Sequence, residues 1–310
     1  KESITADPTN SNYVYAVWDR FVTQGSSTPS SQGFFQDNTG HGPAFFARST
    51  DGGATWEPAR NISGPEARYF TINNQIVVLP NGDLVDEFTL FSSSNARGTR
   101  GANLAVMRST DKGLTWSKPT IIAPLDAVQV VDPATGQPAR TGDQGADITV
   151  DPNSGALYIA WEDARFSNGA YDGIAFSKSV DGGQTWSTPI EINHAPTVAA
   201  FTPNVQVASD GTVGVGYYDF RNDNPTTDPL LTDYWLVHSH DGGSTWTDET
   251  RITPTSFDLT TAPFVDTRGY FLGDYEGLAA VGKAFIPLFV QANSGNVTNR
   301  TDVFTTSVGP

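Results

Sequence analysis

Apolar and polar positions alternate along this chain in pairs of short segments, each pair broken by a turn. SITADPTNSNYVYAVWD, TINNQIVVLPNGDLVDEFTLF, DITVDPNSGALYIAWED and PNVQVASDGTVGVGYYD follow this pattern. Period-two alternation puts one face of a strand on a core, and NG, SG or DG between two such runs marks a tight hairpin turn. Each hairpin leads into a longer polar loop and a third β-like run such as GPAFFARS or GIAFSKS. An octapeptide and a short fourth run such as EPARNIS or STPIEIN follow. Four antiparallel strands per repeat is the unit of a propeller blade.

The octapeptide is the sharpest repeat. STDGGATW begins at Ser49, STDKGLTW at Ser109, SVDGGQTW at Ser179 and SHDGGSTW at Ser239, so Asp51, Asp111, Asp181 and Asp241 recur at spacings of sixty, seventy and sixty residues. Such a period belongs to propellers and related arrays. The residue types suit architecture: a short Asp accepts amide bonds inside its own turn, glycine supplies positive φ, and Trp fills the space between sheets. A fifth repeat, GDYEGLAAVGKAFIPLFVQA with TDVFTTSV, has three strands and no octapeptide. The expectation is an all-β, single-domain β-propeller with five countable blades over residues 1–66, 67–127, 142–197, 200–254 and 268–310, or six if sequence precedes Lys1.

Composition narrows the function. With 34 acidic against 18 basic residues the formal charge is −16, which repels phosphate backbones and anionic membrane surfaces; no nucleic acid and no membrane insertion are expected. No run of apolar residues is long enough for a spanning helix and no signal peptide is visible. The absence of cysteine excludes disulfides, thiolate metal sites and cysteine nucleophiles. It fits a secreted or cell-surface protein, as do sequons at Asn61, Asn296 and Asn299. A monomer is expected.

Strand parity locates the candidate chemistry. The octapeptides share a face with the first hairpin turns, so the opposite face carries the starts of first strands, the ends of second strands and the long loops. Gathered there are Asp19 and Arg20 in WDR, Glu162, Asp163 and Arg165 in WEDAR, Asp219 and Arg221 in YYDFR, and Asp274 in GDYE. One reading makes these Asp-x-Arg pairs structural loop closures. The other has them converge on a ligand, where paired carboxyls do acid–base work. The histidines, His41, His194, His238 and His240, lack metal-ligand spacing. No cofactor is required; Asp143 with Asp147, and the loop from Asp219 to Asp228, suit a hard cation such as Ca2+ without matching an EF-hand.

With its SxDxGxTW repeats, the chain resembles the Asp-box, or BNR-repeat, superfamily, whose best-known enzymes are the sialidases. That resemblance implies a glycoside hydrolase with a Tyr nucleophile and an Asp acid/base. DYEGLAAVGKAFIPLFV is similar to the stretch bearing the nucleophile, which places it at Tyr275. Asp37, in FFQDNTGHGPAFFARSTDGG, lies where the acid/base is expected, and Arg221 matches one of three carboxylate-clamping arginines. ESIT stands where the family has its FRIP arginine, and TPNVQV lacks the glutamate of the fourth blade. The expectation is therefore a sialidase-like hydrolase acting on a glycan other than an ordinary sialoside. The alternative is a non-catalytic propeller binding a glycan or a protein.

Overall fold

A computed structural model describes residues 2–20, 42–64, 69–92, 101–227, 229–293 and 296–309. Almost all regular structure is antiparallel sheet, as the alternation requires. The chain divides into two compact units, Lys1–Leu125 with Val180–Thr185 and Asp126–Ser179 with Trp186–Pro310. In the first unit, β1 (Glu2–Ala6), β2 (Val14–Asp19), β3 (Ala44–Ser49) and β4 (Arg60–Asn61) form one sheet in chain order. A second sheet follows from β5 (Phe70–Val78), β6 (Leu84–Phe91), β7 (Ala102–Ser109) and β8 (Thr120–Pro124).

The second unit opens with the short β9 (Ala139–Arg140). Its first sheet contains β10 (Ala146–Val150), β11 (Leu157–Asp163), β12 (Gly173–Ser179) and β13 (Ile190–Glu191). The next contains β14 (Ala200–Val207), β15 (Val213–Asp219), β16 (Leu231–Ser239) and β17 (Asp248–Arg251), with β18 (Phe257–Asp258) also paired to β16. β19 (Tyr270–Phe271) pairs with β9 in parallel, and the last sheet has three strands, β20 (Gly277–Val281), β21 (Ala284–Ala292) and β22 (Thr301–Thr305). Five meandering sheets of this kind make the fold an all-β, five-blade β-propeller.

Within each unit neighbouring sheets bury apolar faces against one another. In the first, Tyr15, Val17 and Phe46 from one sheet meet Ile76, Leu84, Phe88 and Met107 from the next. In the second, Tyr158, Ala160 and Phe176 meet Val205, Val215 and Tyr217. Each large side chain so buried stabilises the fold by about 1.5–3 kcal/mol.

The octapeptides build the turns between third and fourth strands. Asp111 Oδ1 accepts from the Thr115 amide at 2.8 Å and its Oδ2 from the Thr115 hydroxyl at 2.6 Å. Asp51, Asp181 and Asp241 make the same pair of bonds to Thr55, Thr185 and Thr245. These bonds hold Asp51 and Asp111 at a pKa of about 2, and lower Asp241 as well. Ser109 Oγ donates to Asp111 and accepts from the Gly113 amide, each at 2.8 Å. Gly113 has φ of +80° and lies so near Phe46 that a Cβ would fall 2.4 Å from the ring. Trp116 then meets the same ring edge-on at 5.4 Å; Gly243, Trp246 and Phe176 repeat the arrangement. At Ser109 and Ser239 the motif is therefore a turn and an inter-sheet wedge together, whereas Trp56 of the first octapeptide is exposed and fills no such space.

Ser109→Ala leaves the buried Gly113 amide without its acceptor. It is expected to cost about 1–3 kcal/mol, read as a lower urea midpoint with an unchanged slope.

Candidate functional site

The first strands of two sheets bend at one equivalent point. β5 slips register between Ile72 and Gln75, and β14 between Phe201 and Asn204. At each bulge a non-glycine residue takes a left-handed conformation, Asn73 with φ of +67° and Thr202 with φ of +50°. Such strain persists only where the surroundings fix it. Here a carboxylate from the preceding sheet accepts the amide: Asp19 Oδ2 from Asn73 at 3.2 Å, Glu162 Oε1 from Thr202 at 2.8 Å. Asp19 also accepts from the Asn74 side-chain amide, and burial raises its pKa. Arg20, beside it, is exposed and its guanidinium lies 5.1 Å from the Phe45 ring.

In the second unit Glu162 is fully buried. Its other oxygen accepts from Thr141 Oγ1 at 2.7 Å, and burial with the charges of Asp172 and Asp143 pushes its pKa well up. Asp172, also fully buried, accepts from the Val128 amide at 3.0 Å and is raised to about 7, chiefly by burial.

The arginines that end second strands turn back on this chain. Arg165 holds Asp163 through Nε at 2.8 Å and a terminal nitrogen at 2.6 Å, while Trp161 Nε1 donates to the same carboxylate. Arg221 donates to Asp219 through Nε at 2.5 Å, to Glu249 through both terminal nitrogens and to the Tyr217 hydroxyl at 2.9 Å. Its guanidinium lies 3.8 Å from the Trp235 ring centroid. Every edge of Arg221 is thus occupied by a side chain of its own sheet, a geometry of loop closure rather than of a free carboxylate clamp. Burial raises Asp219 to about 6 against the opposing pull of Arg221.

The chain entering β20 is pinned from both sides. Asp274 forms a two-bond pair with Arg140, Oδ1 to Nε at 2.8 Å and Oδ2 to a terminal nitrogen at 2.6 Å, and Arg140 stacks 4.4 Å from the Phe271 ring centroid. Backbone approaches closely here: a Cβ on Gly142 would fall 2.3 Å from the Asp274 carbonyl oxygen. Two residues on, Glu276 is half-buried, meets the Tyr218 hydroxyl at 3.0 Å, and is pushed by burial to a pKa of about 8. Tyr275, between these anchored neighbours, is 70% exposed. Asp37 lies outside the described residues.

Around Glu276 stand Tyr218 and Tyr234, both fully buried. Tyr234 lies within electrostatic reach of Glu276 and Asp147 together, and its hydroxyl meets Asn204. Asp147 Oδ2 accepts from the Val205 amide at 2.8 Å. This part of the second unit thus holds a half-buried carboxyl raised by burial to about 8, with a buried phenol as its side-chain partner. Among the described residues no three His, Asp or Glu side chains are grouped to hold a metal ion.

The model of the BNR repeat-like domain family matches residues 44–257, more than half of the chain. The chain belongs to the BNR repeat-like family. Over 99% of its length this BNR-repeat chain is similar to a protein of unknown function from Dyadobacter fermentans, covering 78% of that chain at 16% identity with a TM-score of 0.56. It is also similar to a polysaccharide lyase, an ulvan lyase, across 100% of this chain and 67% of that one, at 12% identity and a TM-score of 0.53. The alpha-L-arabinofuranosidase Arb93A from Fusarium graminearum matches over 96% of this chain and 89% of its own, at 12% identity and a TM-score of 0.51. At these identities the likeness is one of fold. No curated protein matches the sequence.

Sequence reasoning did not single out Glu276, Tyr218, Glu249 or Asp172. Strand-end position was the available signal, since Tyr218 precedes Asp219 at the end of β15 and Asp172 immediately precedes β12.

The pKa displacements set the pH dependence of this BNR-repeat protein. Raised groups, Asp172, Asp219, Glu276 and, without a value, Asp86 and Glu162, bind more protons when folded, so stability falls as pH climbs from about 4 towards 8. Lowered groups, Asp7, Asp51 and Asp111 at about 2, contribute stability that is lost as pH falls from about 4 towards 2. Denaturant midpoints measured across pH 3–9 are expected to peak near pH 4–5. Glu276→Gln should weaken the decline on the alkaline side.

Proposed function

We propose that this BNR-repeat chain is a glycan-processing enzyme of the glycoside hydrolase type, acting outside the cell on neutral sugars. Glu276 carries the reading. A carboxyl that is partly accessible yet protonated at neutral pH can give its proton to a glycosidic oxygen as the bond to the anomeric carbon breaks.

The substrate class follows from how the arginines are used. Arg140, Arg165, Arg221 and Arg251 each hold a carboxylate of this chain, Asp274, Asp163, Asp219 and Asp233 respectively. Freeing Arg165, Arg221 or Arg251 to grip an acidic sugar would strand a buried partner charge, at a cost of several kcal/mol. A net charge of −16 further opposes an anionic glycan. The names of the similar structures, an arabinofuranosidase and a polysaccharide lyase, support glycan chemistry on this fold.

Turnover of a panel of neutral polysaccharides and aryl glycosides, with a sialoside included, tests the reading. Wild type is expected to cleave a neutral substrate, with activity falling as pH rises through about 8 because the acid must be protonated. Glu276→Gln is expected to lose about 100-fold or more. Tyr275→Phe separates two assignments: proton donation by Glu276 predicts retained turnover, whereas the nucleophile implied for Tyr275 by resemblance predicts its loss. A second reading, a glycan-binding propeller without turnover, is favoured by the same occupied arginines. Wild type that binds the panel and cleaves none of it would establish that one.

A further inference from the structure

Glu276 has a partner whose bonds can be arranged in two ways. The Tyr218 hydroxyl, on β15, accepts from the Val290 amide of β21 at 2.8 Å. Its single proton has two acceptors in reach, the Val290 carbonyl at 2.7 Å and Glu276 Oε1 at 3.0 Å. A phenol cannot donate to both at full strength. While Glu276 is protonated, its own proton can serve the contact with the Tyr218 oxygen and the phenol proton can rest on Val290. Once Glu276 is ionised it has no proton to offer, and the contact survives only if Tyr218 becomes the donor.

We propose that Tyr218 is a positioning residue that works as a two-way hydroxyl rotor, its proton resting on the Val290 carbonyl beside neutral Glu276 and turning to Oε1 when Glu276 gives up its proton. No net proton leaves Tyr218; only the O–H bond rotates. The ring is fully buried, stacked on Phe201 and met edge-on by Tyr234 and Phe257, so it is not itself a nucleophile. That packing also fixes the oxygen in place while the proton turns. Among the described residues, Tyr234 senses the charges of Glu276 and Asp147 without a hydrogen bond to Glu276, the Arg140–Asp274 pair is two residues back along the chain, and the Val290 amide adds a further contact to the ionised form. Tyr218 is the side-chain donor that answers the change in charge.

The role in catalysis rests on the proposed hydrolase reading, but the rotor can be tested without turnover. The carboxyl 13C resonance of Glu276, assigned by its absence in Glu276→Gln, is followed from pH 5 to 11 in the full chain. Wild type is expected to titrate near 8. Tyr218→Phe removes the donor to the ionised form, so its midpoint is expected to move up by about one to two pH units. Tyr234→Phe, which loses a buried hydroxyl but no bond to Glu276, is expected to leave it in place. Should Tyr218→Phe not fold, incorporation of 3-fluorotyrosine, a stronger donor, is expected to lower the midpoint in otherwise native protein.

An unchanged or lowered midpoint in Tyr218→Phe, or no response to fluorination, would overturn the rotor. Where wild type turns over a glycoside, the alkaline limb of its pH profile is expected to move with the resonance in Tyr218→Phe; a purely structural role would leave that limb at about 8. Absence of any wild-type turnover would remove the hydrolase reading and leave the titration to decide the rotor alone.

Discussion

A sheet that packs apolar side chains on a neighbour must find partners for the backbone groups its strand ends and bulges leave unpaired in a dry place, and that constraint governs the candidate site of this molecule. Phe46 against Leu84 and Met107, or Phe176 against Val215 and Tyr217, exclude water from the space between sheets. At strand ends the excluded volume continues but the hydrogen-bonded ladder does not. A bulge amide on Asn73 or Thr202 therefore needs an acceptor from the adjoining sheet, and Asp19 or Glu162 supplies it. The penalty for leaving such an amide bare exceeds the gain of a typical hydrogen bond, so these carboxylates are structurally required. Their raised pKa values are the consequence of serving that purpose in a dry place.

The fold was legible because its devices are local. Ser109, Asp111, Gly113, Thr115 and Trp116 act within eight residues, and each residue type has a physical reason to occupy its place. A motif that closes its own turn carries its structure in its spelling. The bulges were less visible: neither Asn73 nor Thr202 is a glycine, and a left-handed conformation at either comes from contacts with the preceding sheet. The third strand, the turn and the wedge could be read from one stretch of chain, but the kink in β5 and β14 could not.

The candidate site was legible only in outline, since its bonds join distant residues. The YYDFR sequence places Arg221 beside Asp219, but not beside Glu249, which approaches from the other edge of the sheet. An arginine at the end of a strand looks the same in sequence whether it waits for a substrate carboxylate or holds one of its own. Glu276 presents the same difficulty. Its meaning depends on a phenol 58 residues earlier in the chain, and sequence parity with Tyr275 says only that the two side chains part company.

These two uses of carboxylates explain how one scaffold can vary its chemistry without losing its shape. Asp111 and its counterparts are solvent-near, satisfied by neighbouring amides and hydroxyls, and ionised far below neutral pH; their charge is fixed under all ordinary conditions, and the turn does not respond to its surroundings. Glu276 sits where burial outweighs a phenol and one backbone amide, so its proton is given up only near pH 8. The difference between them is burial set against donors, not the residue type. A solvent-near carboxyl with several donors makes a joint, and a buried one whose donors do not offset the lost water makes an acid. Small changes in loops around strand ends can convert one into the other while the sheets behind them keep the same packing.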